Sequence, residues 1–142
     1  MTDYPDLQLF IDNQWRKTAD TLPVLNPATE AEIGRLPVAG RSDLDDALEA
    51  AERGFRLWSR TAPRERARII LRAASLLRER AAQIAPSITM ENGKPLVQAR
   101  MEVVRGAEFF EWDAGEAQRL YGHVVPSAPG IRYTVLREPA GI

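Results

Sequence analysis

The residue types present leave this chain a narrow chemistry. It has no cysteine and a single histidine, His123. Thiolate nucleophiles, disulfides, cysteine-based metal sites and histidine clusters are therefore excluded. A serine–histidine relay would have to use His123, and no serine and aspartate stand at a spacing that makes a triad with it. Placed just past an expected helix end, His123 is better suited to capping that end as a cation. The carboxylates fall into two groups. Asp43, Asp45, Asp46, Glu49 and Glu52 crowd at and after an expected helix start, where the helix dipole favours negative charge. Glu108, Glu111 and Glu116 share a longer helix with Arg105 and Arg119. Among these an acid–base pair is conceivable, but Glu108–Arg105 and Glu116–Arg119 are three residues apart and also suit surface ion pairs. Arg60, Arg64, Arg68 and Arg72 recur every four residues. They make either a phosphate or nucleic-acid stripe or a solvated face meeting the acidic first helix. No aromatics interleave with them, and the formal net charge is −1, whereas nucleic-acid binders usually carry net positive charge. Neither G-x-G-x-x-G nor G-x-x-x-x-G-K-[ST] occurs, and Gly93-Lys94 belongs to neither pattern. The G-x-S-x-G elbow of serine hydrolases is missing too.

The elements that would position these groups emerge from periodicity and punctuation. Glu91-Asn92-Gly93-Lys94-Pro95 reads as a turn before the longest helix: Asn92 and Gly93 accept positive φ, and Pro95 fits a first helical turn. Leu96, Val103, Ala107, Phe110, Ala114, Ala117 and Tyr121 then form one apolar stripe, and Gly122 stands where glycine closes a helix. Gly106 and Gly115 inside it each cost roughly 1 kcal/mol relative to Ala. They mark either close packing on another backbone or tolerated weak points.

Upstream, Leu7 to Ile11 and Gln14 to Arg16 make a hairpin about Asp12-Asn13. Thr21 to Leu25 and Ile33 to Val38 are further extended pieces, with Pro23 at an edge or strand end and a turn at Asn26-Pro27-Ala28-Thr29. Ser42 is expected to cap a helix whose buried stripe is Leu44, Ala47 or Leu48, Ala51, Phe55 and Trp58. Thr61-Ala62-Pro63 separates it from a second helix with stripe Ala67, Ile70, Leu71, Ala74 and Leu77. Pro86 should end or kink the helical segment after Arg80, leaving a short new turn at Ile88 to Glu91. Val124 to Gly130 reads as a loop and Ile131 to Arg137 as a strand. Length and composition are those of one ordinary globular domain. No run of about 18 apolar residues is present to span a membrane. The first residues lack the pattern of a secretory signal, so the expected location is cytoplasmic.

Taken in order, these residues resemble the N-terminal part of the aldehyde dehydrogenase superfamily. The resemblance is carried by Leu9-Phe10-Ile11-Asp12-Asn13-Gln14-Trp15, Leu25-Asn26-Pro27-Ala28-Thr29 and Glu91 to Pro95. It continues in Glu111-Trp112-Asp113-Ala114, Leu120-Tyr121-Gly122 and Arg137-Glu138-Pro139-Ala140-Gly141-Ile142. Gln98-Ala99-Arg100-Met101-Glu102 looks most like the succinate-semialdehyde dehydrogenases. Pro86 departs from the helical residue expected there. The resemblance implies an α+β fragment of an α/β fold: an N-terminal hairpin and strands, three to four helices, a C-terminal strand, and a Rossmann sheet largely absent. Residues 1–122 would belong to the NAD(P)-binding domain and 123–142 would begin the arm that pairs with a neighbouring subunit.

The family oxidises an aldehyde to a carboxylate through a cysteine thiohemiacetal, with hydride passing to NAD or NADP and a glutamate base assisting thioester hydrolysis. The cysteine, the glutamate, the oxyanion asparagine, the cofactor lysine and the glycine-rich cofactor turn all lie beyond Ile142 in the family's order. None maps onto a residue here. The expectation is thus a fragment inactive alone, with no catalytic, cofactor or metal residue of its own. NAD or NADP, the aldehyde substrate and homo-oligomeric partners belong to the complete enzyme; nucleic acid and membrane are not expected partners. Some members hold a monovalent cation at positions matching Val24, Leu25 and Glu91, with a further carbonyl from downstream. The alternative is a non-catalytic interaction module.

Overall fold

A computed structural model describes residues 4–141. The order of elements is β1 (Leu9–Ile11), β2 (Gln14–Arg16), β3 (Thr21–Leu25), β4 (Glu32–Pro37), α1 (Arg41–Trp58), α2 (Pro63–Glu79), α3 (Ala81–Asn92), α4 (Leu96–Glu116), β5 (His123–Val125) and β6 (Tyr133–Val135). The strands form three separate antiparallel pairs, β1–β2, β3–β4 and β5–β6. No parallel sheet is present among the described residues, as the fragment reading requires.

The first hairpin forms as its turn dictates. Asp12 and Asn13 both take positive φ, 52° and 61°, the two-residue geometry whose twist matches antiparallel strands. Ile11 then faces Gln14, and Phe10 packs against Trp15 with ring centroids 4.7 Å apart and the planes tilted by 47°. The hairpin is tied to α1 by Arg16–Asp46 at 2.6 Å and Arg53–Asp12 at 3.0 Å. In β3, Pro23 stands opposite Arg35; a two-stranded sheet has only edges, so its missing N–H is tolerated.

The core lies in the helices. α2 packs on α4, and α3 on α4. The buried positions are Ala67 and Ala74 of α2, Ala85 of α3, and Ala99, Val103, Ala107 and Ala114 of α4. The expected stripes are only partly buried: Ala67, Ala74, Val103, Ala107 and Ala114 are inside, but Leu71, Leu96, Phe110 and Tyr121 are exposed. α1 buries none of its residues, and its expected stripe members Leu44, Leu48 and Trp58 face outward.

Four boundaries differ from the sequence reading. Gly40, not Ser42, caps α1, and Asp43 accepts from the Gly40 N–H at 2.9 Å. With the helix beginning at Arg41, Asp43 is its third residue, and its carboxylate reaches back to the cap N–H as in a capping box, while Ser42 lies inside the first turn. The chain breaks at Arg80, whose φ of −100° and ψ of 6° leave the helical region, and Pro86 lies inside α3. Because α3 restarts five residues before it, Pro86 forfeits only the bond to the Ala82 carbonyl. α4 ends at Glu116, so Gly122 is not its cap. Gly122 serves a close approach instead: a Cβ there would lie 2.0 Å from the Val135 carbonyl oxygen. Finally, His123 to Val125 is a strand rather than a loop, with His123 opposite Val135. Gly106 meets nothing within 4 Å, and Gly115 meets only the Arg119 guanidinium. Neither packs on a backbone within the described residues.

Two outcomes test this packing. Ala107→Leu should overfill the α2–α4 seam and cost about 1–3 kcal/mol in denaturant unfolding. Gly122→Ala should abolish amide protection in β5 and β6 by hydrogen exchange while α2 and α4 keep theirs.

Candidate functional site

The residues with the most specific pattern, the Asn26-Pro27 turn and the Glu91 to Pro95 turn, meet in space. α3 ends at Asn92 because Gly93 takes φ 74° and donates its N–H to the Thr89 carbonyl at 2.9 Å. The Asn92 side chain accepts from the Lys94 N–H at 3.0 Å, and Pro95 stands as the N-cap just before α4 rather than inside its first turn. Asn26 builds its turn in the same manner. Its Oδ1 accepts from the Ala28 N–H at 2.9 Å, and its backbone closes the loop through Glu30 and Ala31. Pro27 lies so close to Gly93 that a Cβ on Gly93 would be 3.3 Å from the proline Cγ. Two requirements, positive φ and proximity to Pro27, thus fix glycine at 93.

Tyr4 completes the junction. Its hydroxyl donates to Glu91 Oε1 at 2.6 Å, and its ring lies where a side chain on Gly34 would stand, 2.5 Å from that position. Burial of the phenol, then the hydrogen bond to Glu91, then that carboxylate's charge push the Tyr4 pKa up to about 12. Tyr4 had no signal in the sequence: it sits in an acidic, aperiodic start, and its partner is far along the chain. Glu91, which with Val24 and Leu25 stands at the positions where some members hold a cation although no metal was expected here, has its carboxylate engaged by Tyr4. Val24 lies half-buried in β3, and Leu25 is exposed beside the irregular register at Val24/Leu25.

The remaining candidates are scattered. Lys94 pairs with Glu102 beside an open cleft of about 420 Å³ along α4. Glu111 receives both arms of Arg78 at 3.0 and 2.9 Å, which holds its carboxyl below the usual range. Glu116 pairs with Arg119, whereas the Glu108–Arg105 pair does not form among the described residues. Arg68 and Arg72 are drawn to Glu65 and Glu79 of their own helix; all four arginines of the stripe are exposed, and none forms an ion pair with an acid of α1 among the described residues. His123 is exposed on β5. Among the described residues no three His, Cys, Asp or Glu side chains gather to hold a metal. No helix there is long and apolar enough to cross a membrane.

This geometry is an assembly of docked turns, and it coincides with a broader match. Residues 15–142 match the aldehyde dehydrogenase family. The chain belongs to that family. It is 38% identical over 138 residues to the 3-sulfolactaldehyde dehydrogenase of Pseudomonas putida, covering 95% of this chain and 28% of that protein. It is 34% identical to the succinate semialdehyde dehydrogenase of Acinetobacter baylyi, covering 93% and 28%. The crystal structure of an aldehyde dehydrogenase from Brucella melitensis biovar abortus superposes with a TM-score of 0.88 at 36% identity, over 93% of this chain and 28% of that one. The chain therefore spans little more than a quarter of the length of these aldehyde dehydrogenases.

The Tyr4–Glu91 contact has a pH signature. A raised phenol pKa means that the folded state holds its proton more tightly. The stabilisation is full below the ordinary tyrosine pKa and is lost as pH rises from about 10 through about 12. Absorbance at 295 nm should show one of the three tyrosines ionising near the upper end of that window, and Tyr4→Phe should remove that step.

Proposed function

We propose that this chain is the N-terminal portion of an NAD(P)-dependent dehydrogenase that oxidises an aldehyde bearing an acidic group to the corresponding carboxylate. The observation that carries the reading is the family match over residues 15–142, supported by a superposition at a TM-score of 0.88 over 93% of this chain on a solved aldehyde dehydrogenase. The substrate class rests on the relatives named above, one for a sulfonated aldehyde and one for a carboxylated one. Residues 1–122 are assigned to the cofactor domain. Residues 123–142 are assigned to the start of the arm that pairs subunits of a homo-oligomer in the cytoplasm; the exposed β5–β6 pair, with Val124, Tyr133 and Val135 uncovered, suits that role.

The residues present do not fit a dinucleotide on their own. Such a cofactor sits at the carboxyl ends of a parallel sheet, on a glycine-rich turn. The described residues supply three antiparallel pairs and no such turn. With no cysteine in the sequence, the thiol step has no nucleophile either. What this portion supplies is a platform: the paired turns at Pro27 and Gly93, and apolar helix faces on which a sheet can rest.

A spectrophotometric assay tests the reading in two arms. The isolated chain with NAD+ and succinate semialdehyde should give no absorbance rise at 340 nm. The Pseudomonas putida 3-sulfolactaldehyde dehydrogenase, with its matching segment replaced by this chain, should reduce NAD+ with its aldehyde. Turnover by the isolated chain refutes its inactivity, and a folded but inactive chimera refutes the assigned role.

A further inference from the structure

Asn92 and Gly93 are an asparagine followed by a glycine, and that pair has a reaction of its own. The main-chain nitrogen of the following residue can attack the asparagine Cγ, and glycine, with no side chain, hinders the attack least. Asn26 precedes Pro27, whose nitrogen has no N–H to give up. Asn13 precedes Gln14, which is held in β2. Asn92 has the permissive neighbour, and both Asn92 and Gly93 are exposed.

The geometry prepares one half of this reaction and blocks the other. Asn92 Oδ1 accepts from the Lys94 N–H at 3.0 Å. That bond curls the side chain across the Gly93 peptide and polarises its C=O, as an oxyanion donor would. The Gly93 N–H, however, is committed to the Thr89 carbonyl at 2.9 Å, in the bond that caps α3. The nitrogen attacks only after losing that proton, so the bond to Thr89 must open first. Tyr4, bonded to Glu91 at 2.6 Å, and Pro27, set against Gly93, hold that end of α3 in place.

We propose that Asn92 is a self-modification site gated by the docked end of α3, converting to aspartate and isoaspartate when the last turn opens. Solvent base takes the Gly93 amide proton, the nitrogen bonds to Asn92 Cγ, and ammonia leaves with a proton from solvent, closing a cyclic imide. Water then opens either imide carbonyl. Opening at Cγ gives aspartate; opening at the former main-chain carbonyl gives isoaspartate, with the chain rerouted through Cγ. The sum exchanges an amide NH2 for an OH, with nothing oxidised or reduced. Either product sets a further carboxylate beside Glu91 at the negative end of the α3 dipole. Isoaspartate also lengthens the backbone where Gly93 must meet Pro27, so the modified junction does not close again. This site goes beyond the dehydrogenase reading and needs neither cofactor nor aldehyde.

Incubation of the 142-residue chain at mildly alkaline pH, followed by tryptic mapping, tests the proposal. Trypsin spares Lys94 before Pro95, so the peptide 81–100 carries Asn92 and no other asparagine, and chromatography separates its aspartate and isoaspartate forms. Conversion in the folded chain should be at least about tenfold slower than in denaturing urea, because only the open fraction reacts. In urea below the unfolding transition seen by circular dichroism it should already rise several-fold, since local opening precedes global unfolding. Tyr4→Phe should speed conversion several-fold with circular dichroism unchanged. The inference is overturned by equal rates in the folded and unfolded chain, by a rate that stays flat until global unfolding, by a Tyr4→Phe chain that converts no faster, or by no isoaspartate at Asn92 in either state. Should Tyr4→Phe unfold, the urea series on the unaltered chain decides.

Discussion

Everything in this chain hangs on a seam of small side chains between α2, α3 and α4. Six of the seven buried helix positions are alanine, and the seventh is Val103. Small residues let helix axes come close, with backbone-near atoms in contact along much of each helix. The tightness comes at low hydrophobic yield, because a buried methyl contributes far less than the roughly 1.5–3 kcal/mol of a fully buried Leu or Phe. No large side chain in the described residues is fully buried. The seam therefore sets the geometry of the helices more than it supplies their stability.

The large apolar residues are consequently displayed. Leu44, Leu48 and Leu57 along α1, Phe109, Phe110 and Trp112 on α4, and Val124, Tyr133 and Leu136 near the C-terminal hairpin are all exposed. Isolated exposed leucines are unremarkable, but whole helix faces of this kind mark contact surfaces. On the proposed reading, these faces receive the sheet and the neighbouring subunit of a complete aldehyde dehydrogenase. The polar faces point elsewhere and are settled by local pairs such as Arg68–Glu65 and Arg56–Glu52. Exposed pairs of this type contribute little to stability.

Much of the fold was legible where a residue type leaves no choice. Asp12-Asn13, Asn26-Pro27 and Gly93 announced their turns because positive φ and proline geometry are local properties. Helix existence followed from periodicity, but burial did not: periodicity identified the apolar face of α1, while the described residues cover it only in part, leaving Ala47 and Phe55 half-buried and Leu44, Leu48 and Trp58 exposed. Pro86 and Gly122 misled for a shared reason. Each has a strong local meaning, helix breaker and helix cap, that the surrounding structure overrode. The break had already come at Arg80, and Gly122 was needed by the backbone of β6. The family motifs were readable as separate words. Their joining at Pro27 and Gly93, and the part Tyr4 plays there, were hidden because these contacts span 66 and 87 positions along the chain, as the Pro27–Gly93 and Tyr4–Glu91 numbering shows.

The hydroxyl of Tyr4 has a practical bearing on how the molecule can be handled. It fastens the start of the described chain to the far end of α3, beside the Glu91 to Pro95 turn. With no native cysteine to compete, a thiol introduced next to Tyr4 would take a fluorophore at that place alone. Energy transfer to a second dye, on a thiol likewise introduced in α4, would report whether the β3–β4 hairpin and the helices remain docked.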